Sequence, residues 1–265
     1  MGTYLHGYDQ DEFHRLVEQA EFLGPEIFQE IDLSFSTRLL EPGCGAGAQT
    51  RYLTQKAPNA QILSFDVAEA PIAFAKHWLS QADERLQKRI EFRQAEAAEL
   101  RTDYANFFDA CYICWMLEHV TEPAKLLKEI YPLLQQGAKI FVTEVQNNTL
   151  TFYPPCPLTM RVWKAICDHQ QAIGGDPFVG EKCASYLSEA GYDKIEVKPH
   201  QMIRSQVDHQ NLHEMIQYWI KLMFSAARFL DVSLWDGVEN ELAVWMKHPD
   251  AQFSYTFVQS FATKP

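Results

Sequence analysis

Leu40-Glu41-Pro42-Gly43-Cys44-Gly45-Ala46-Gly47 is the most informative stretch of this chain. The run Arg38-Leu39-Leu40 reads as a short strand feeding the turn, and Gln49 to Lys56 reads as the helix that leaves it. A strand end, a glycine-rich turn and a helix start let backbone groups approach a ligand closely. Glycine permits that approach because it lacks Cβ and tolerates positive φ. Two readings are open here, because Gly43, Gly45 and Ala48 also satisfy the G-x-G-x-x-A dinucleotide pattern. Asp66, at the end of the next strand, suits ribose hydroxyls under either reading.

Outward from the loop, strands alternate with helices. Further strands are expected at Gln61 to Phe65, Ile90 to Arg93, Phe108 to Trp115 and Ala138 to Val142. Helices are expected between them at Ile72 to Gln87 and Pro123 to Leu134. Such alternation implies right-handed crossovers and a parallel sheet. Upstream, Asp9 with Glu12 forms a capping box, and Phe13, Leu16, Val17 and Ala20 follow at helical spacing until Gly24-Pro25 ends the helix. After Glu144 the texture changes. Asn147, Asn148, Pro154, Pro155 and Pro157 mark an irregular connection, then helical stretches follow, and Ile195 to Pro199 and Phe253 to Phe261 read as two closing strands.

Composition narrows the function classes. Lys plus Arg total 23 against 35 Asp plus Glu, a net charge of −12. Nucleic-acid binding needs cations to neutralise phosphates, so a DNA or RNA partner is disfavoured. The longest apolar run, Ala110 to Leu117, is far shorter than a membrane span requires. No signal peptide is read at the start, and the six cysteines fit a reducing compartment, so a cytoplasmic protein is expected. Cys111-x-x-Cys114 lies in a strand, where residues three apart point to opposite faces, which argues against a metal or redox pair. His209 and His213 read as one solvated helix face, and two ligands do not make a metal site.

Glu41 separates the two readings of the loop. A carboxylate beside a pyrophosphate is repulsive. It suits a ligand presenting a cation, such as the α-ammonium of a methionine moiety. The assembly Leu40 to Gly47 resembles the first motif of class I S-adenosylmethionine (SAM)-dependent methyltransferases. The likeness continues through Asp66-Val67, Ala95-Glu96-Ala97-Ala98-Glu99-Leu100, Phe108-Asp109-Ala110 through Leu117-Glu118-His119-Val120, and Gly137-Ala138-Lys139-Ile140. It covers about residues 36 to 145 and is nearest the small-molecule branch typified by ubiquinone and menaquinone biosynthesis enzymes. Gly174-Gly175-Asp176-Pro177 and Leu187 to Gly191 also look familiar from that branch.

The resemblance implies a Rossmann-like α/β fold with a mostly parallel seven-stranded sheet and an antiparallel last strand. Residues 1–35 would form an N-terminal helical lid, 36–145 the SAM-binding core, and 146–265 a helical insertion with the closing strands, all in one domain. It implies SAM as cofactor, with S-adenosylhomocysteine as product, held by Glu41, Gly43, Cys44, Gly45, Asp66, Val67, Glu96, Ala97 and Cys114. The family usually has Asp at the Glu96 position. Methyl transfer by SN2 to a small, partly apolar or aromatic acceptor is the expected reaction. His119 and Tyr4 are the candidate catalytic residues, and Tyr4 to Tyr8 the expected closing segment. Acceptor binding is expected between Asn147 and His248, where Phe152, Tyr153, Met160, Trp163, Met202, Trp219, Met223, Phe224 and Trp235 concentrate; Tyr153, Trp163, Trp219 and Phe224 are the foremost candidates. The alternatives are a non-catalytic SAM-binding regulator and an NAD-dependent oxidoreductase. Neither the acceptor atom nor the oligomeric state is encoded in these motifs.

Overall fold

The computed structural model describes residues 4–227 and 230–265. Helix α1 (Gln10–Ile27) leads to β1 (Arg38–Pro42), the glycine turn and α2 (Ala48–Lys56). Then follow β2 (Gln61–Asp66), α3 (Glu69–Gln81), α4 (Glu84–Arg89), β3 (Ile90–Gln94), α5 (Arg101–Tyr104), β4 (Phe108–Cys114), α6 (Pro123–Ile130) and β5 (Leu134–Val145). The remainder comprises β6 (Thr151–Tyr153), α7 (Pro157–Ala172), α8 (Cys183–Glu189), β7 (Asp193–Ser205), α9 (His209–Ala227), α10 (Val238–Trp245) and β8 (Gln252–Thr263).

The strands form one sheet in the order β3-β2-β1-β4-β5-β8, with β7 on the far edge of β8. Pairing is parallel from β3 through β5, and β8 runs antiparallel to all its neighbours. The expected architecture therefore holds, with one addition. The sheet has eight strands rather than seven, because Thr151–Tyr153 pairs with Gln252–Ser254 beside the end of β5.

Strand alternation builds a core on both faces. Leu39, Ala110 and Tyr112 pack against Ile27, Phe28 and Leu53 on one side. Leu40, Cys111 and Ile113 pack against Leu127, Ile130 and Leu187 on the other. Each buried Leu, Ile or Phe among them contributes about 1.5–3 kcal/mol. Cys111 and Cys114 face opposite sides as expected, and both thiols are free.

Three local expectations are corrected. First, α1 does not stop at Gly24-Pro25 but runs through to Ile27. Pro25 lacks the N–H that would bond the Glu21 carbonyl, and the Tyr52 hydroxyl donates to that oxygen at 3.1 Å instead. Gly24 makes room for this, since a Cβ there would meet the Tyr52 ring at 2.2 Å. Second, the helix expected over 72–87 is two helices, because Asp83 accepts the Leu86 N–H and caps a new one. Third, the helical insertion is divided by a closing strand: α7 and α8 precede β7, whereas α9 and α10 lie between β7 and β8.

Candidate active site

The C-terminal ends of β1, β2 and β4 open onto a deep cavity, floored by Gly43, Cys44, Gly45, Asp66, Val67, Ala97 and Cys114. Two glycines shape the floor. A Cβ on Gly43 would stand 2.4 Å from Met116 Cγ, and Gly45 adopts φ +50°. The turn is tied to the second strand: Cys44 N–H donates to the Phe65 carbonyl at 3.1 Å, and Gly45 N–H to Asp66 Oδ2 at 3.0 Å. Asp66 Oδ1 accepts from Ala68 N–H at 3.0 Å. Each carboxylate oxygen thus keeps a lone pair for a ligand hydroxyl. Burial raises the Asp66 carboxyl while these backbone N–H groups oppose the rise.

Glu41 stands behind the floor rather than on it. Its carboxylate is 97% buried by residue area, 3% remaining exposed, and Oε2 accepts from Thr50 Oγ1 at 2.6 Å and Ser64 Oγ at 2.5 Å. Burial pushes its carboxyl up to about 7. It does not line the cavity, so the geometry gives it a role in bracing α2 against β2 in place of the expected direct ligand contact. Glu96 is exposed and outside the lining, with its backbone N–H donating to Glu99 Oε2 at 2.8 Å; its neighbour Ala97 points in. That alternation follows the turn after β3.

The walls come from distant segments. Helix α1 supplies Arg15, Leu16, Gln19 and Leu23; α7 supplies Trp163, Ile166 and Gln170; α9 supplies Tyr218, Trp219, Leu222 and Ala226. Apart from the adjacent pairs Arg15-Leu16 and Tyr218-Trp219, successive positions are three or four apart, one face of each helix. Asn147, Met202 and Tyr255 complete the chamber. The Trp219 ring lies 5.4 Å from Trp163 and 4.9 Å from Tyr255. Asn147 links them: its carbonyl accepts Trp163 Nε1–H at 2.9 Å, and its Oδ1 accepts the Tyr255 hydroxyl at 2.9 Å. Among the described residues, Trp219 Nε1 and Trp115 Nε1 are buried with no hydrogen-bond partner.

Residues 4–8 cover this chamber. Tyr4, Leu5, His6 and Tyr8 all line it. The Tyr4 hydroxyl donates to Glu12 Oε1 at 2.9 Å, and its ring meets His119 edge-on at 4.9 Å. Glu12 also receives Arg15 through Nε at 2.7 Å and Nη2 at 2.6 Å, and Arg15 Nη1 donates to Gln19. So the Glu12 carboxylate of the capping motif turns to Tyr4 and Arg15, while Asp9 caps α1 by accepting the Glu12 N–H. His6 Nδ1 lies 2.6 Å from Ser225 Oγ on α9.

His119 and Glu118 follow β4 in a short turn held from β5. Glu144 Oε1 accepts the N–H groups of Met116 and Leu117 at 2.9 and 2.6 Å. Trp115, at the entry to this turn, has φ +48°, a conformation that a bulky residue rarely adopts. Burial drives the His119 imidazole down to about 4, so it is neutral near pH 7. Burial drives the Glu118 and Glu144 carboxyls up, and the neighbouring Glu118 charge raises Glu144 further.

The sequence-derived candidates divide cleanly. Gly43, Cys44, Gly45, Asp66, Val67, Ala97, Cys114, Tyr4, His119, Trp163, Met202 and Trp219 meet in the one cavity; Glu41 and Glu96 do not. Tyr153 and Phe224 are corrected: both lie off the cavity, 62% and 61% exposed. On β6 the alternation buries Phe152 and turns Tyr153 outward. Phe224 sits one position past the inward stripe of α9 and packs on Trp235. Phe152 and Met223 belong to the core and Met160 and Trp235 pack against it. Arg15, Gln170, Tyr218 and Tyr255 were missed, and only the helical spacing on α1, α7 and α9 hinted at the first three. His209 and His213 are exposed, and no metal-holding cluster occurs among the described residues.

Residues 40–142 match the family model described as a methyltransferase domain. The matched stretch runs from β1 into β5 and includes the turns that floor the cavity. The ubiquinone biosynthesis O-methyltransferase of Acinetobacter baumannii (strain ACICU) is 30% identical over 115 residues, 43% of this chain and 46% of that protein. The chain thus spans about half the length of the curated relatives it matches. Phosphoethanolamine N-methyltransferase 2 of Haemonchus contortus, solved with S-adenosyl-L-methionine, superposes with TM-score 0.55 at 17% identity, covering 97% of this chain and 53% of that one. The cyclase SpnF superposes with TM-score 0.52 at 18% identity, covering 95% and 80%. The fold is therefore shared by proteins named for different reactions.

Proposed function

We propose that the chain is a SAM-dependent methyltransferase acting on a small, partly aromatic acceptor, with SAM on the floor and the acceptor in the chamber above it. The observation that carries this is Asp66: a carboxylate at the strand end, anchored by the Gly45 and Ala68 N–H groups, with a lone pair left on each oxygen for a vicinal diol. Bound SAM supplies an electrophilic methyl on a sulfonium sulfur. Gly43 and Gly45 leave room for the methionine portion where a Cβ would intrude or strain the backbone. The start of α2, at Ala48 and Gln49, faces the cavity and favours a carboxylate. Val67 and Ala97 offer apolar contacts for adenine. Tyr4 to Tyr8 shut the chamber from water, which a displacement at carbon requires of its enzyme. We assign residues 1–35, 36–145 and 146–265 to cover, cofactor cradle and acceptor wall of one domain.

Calorimetry comparing S-adenosylhomocysteine with NAD, followed by methyl transfer from labelled SAM into a metabolite extract, tests the proposal. Homocysteine-adduct binding without NAD binding and a labelled small product are expected; NAD binding alone overturns it.

A further inference from the structure

The geometry points to Glu118, not His119, as the catalytic base: its Oε1 takes the hydroxyl proton of an aromatic acceptor seated against Trp163, Trp219 and Tyr255. This rests on the methyltransferase reading above and adds the proton's destination and the acceptor's reacting group.

Glu118 is buried to within 8% of its surface, yet it lines the chamber. One oxygen, Oε2, accepts Gln170 Nε2–H at 2.8 Å. Among the described residues no hydrogen bond reaches the other, Oε1, and His119 Nε2, neutral near pH 7, lies 3.6 Å from it. With Glu118 in the cavity lining, Oε1 is left to accept a hydrogen bond from a ligand. The residue is also built in. Its carbonyl accepts Asp176 N–H at 2.7 Å and Gln170 Nε2–H at 3.2 Å, and a Cβ on Gly175 would strike that carbonyl at 2.6 Å. The Gly174-Gly175-Asp176 turn therefore clamps the base in place.

The groups facing Glu118 set its proton affinity. The Gln170 hydrogen bond and Arg15 from α1 lower it, Asp176 after α7 raises it, and Glu144, Tyr218, Tyr255 and Cys167 border it from β5, α9, β8 and α7. Burial dominates and raises it toward neutrality, where a general base is most effective. His119, held near 4, is a poor acceptor for a hydroxyl proton. In the step, the acceptor oxygen forms its bond to the methyl carbon, the carbon–sulfur bond breaks with its pair on sulfur, and the O–H proton passes to Glu118 Oε1. The aromatic walls hold the ring. The unpartnered Trp219 Nε1–H is a donor for a second oxygen on it.

The test uses the full chain, labelled SAM and a series of para-substituted phenols from unsubstituted phenol to para-nitrophenol. Glu118→Gln is expected to bind S-adenosylhomocysteine as wild type does and to lose about 100-fold or more on phenol. It is expected to lose only a few-fold on para-nitrophenol, which ionises without help. His119→Asn should lose less than tenfold on either. If Glu118→Gln does not fold, Glu118→Asp carries the same test, with a smaller loss on phenol and the same recovery on the acidic acceptor. An equal loss across the series, a larger loss in His119→Asn, or a wild type that binds S-adenosylhomocysteine but methylates no phenol overturns the assignment of Glu118. A wild type with no affinity for S-adenosylhomocysteine overturns the methyltransferase reading itself.

Discussion

The floor and the chamber above it are built on opposite plans. The floor is made of turns that follow β1, β2, β3 and β4, and its contacts are chiefly backbone N–H groups with one carboxylate, Asp66. The chamber is made of side chains from α1, α7, α9 and β8, far apart in the chain. Asp66 on the floor is tied to two backbone N–H groups, whereas in the chamber Trp219 Nε1 is buried without a partner and Glu118 holds Gln170 through Oε2 alone among the described side chains. Fixed backbone geometry serves a ligand of constant shape. Side chains with spare valences can be matched to a ligand's own shape and polar groups.

The largest effect on this contrast is expected from Asp66→Ala. It removes the floor's carboxylate anchor, so S-adenosylhomocysteine affinity should weaken by on the order of 1.5–3 kcal/mol. Calorimetry on a variant with unchanged circular dichroism measures this, and wild-type affinity would put the diol elsewhere.

A chain restarted at Asp9 breaks the comparison from the other side. Leu5 leaves the core, costing roughly 1.5–3 kcal/mol of stability. Methyl transfer should fall more than tenfold while S-adenosylhomocysteine still binds, because the cover, not the floor, has been removed. Undiminished turnover in a single-turnover assay would reduce residues 4–8 to packing.

Glu41→Gln sharpens the view that this carboxyl braces the floor. Its folded value, about 7, lies above the ordinary 4.5. The stability it contributes is therefore intact below about pH 4.5 and is lost as pH rises through about 7. Thermal melts of wild type and Glu41→Gln should diverge across that window, with the variant gaining on the order of 1–3 kcal/mol relative to wild type at pH 8. Thr50 and Ser64 can still donate to the amide oxygen. Parallel melting curves at every pH would show that Glu41 ionises freely.

The smallest effects are expected from Tyr153→Ala and Phe224→Ala. Both side chains are exposed and off the cavity. Stability should change by about 0.5 kcal/mol or less, and acceptor kinetics should match wild type. A raised KM for either would extend the chamber to a surface the structure leaves outside it.

The amino-acid sequence by itself determined the alternation of strands and helices through β5, the glycine turn and most of the floor. These depend on short-range relations: a strand's alternation, a turn's positive φ and an acid at the next strand's end are each written within a few residues. The continuation of α1 past Gly24-Pro25 was not readable locally, because the Tyr52 hydroxyl that replaces the missing bond comes from another helix. Strand β7 was read at a fraction of its length for a similar reason. It is an edge strand with many exposed residues, such as Lys194, Glu196 and Val197, and its extent is set by pairing with β8. Likewise Trp163 and Trp219 could be picked as aromatics but not told apart from Tyr153 and Phe224, since the same composition suits a core, a surface or a pocket wall. Only the tertiary structure decided that Glu41 faces inward to Thr50 and Ser64, and that Glu118 meets Gln170 with one oxygen left over. Burial and the company of charges from other elements set a carboxyl's protonation, and neither exists until the chain has folded.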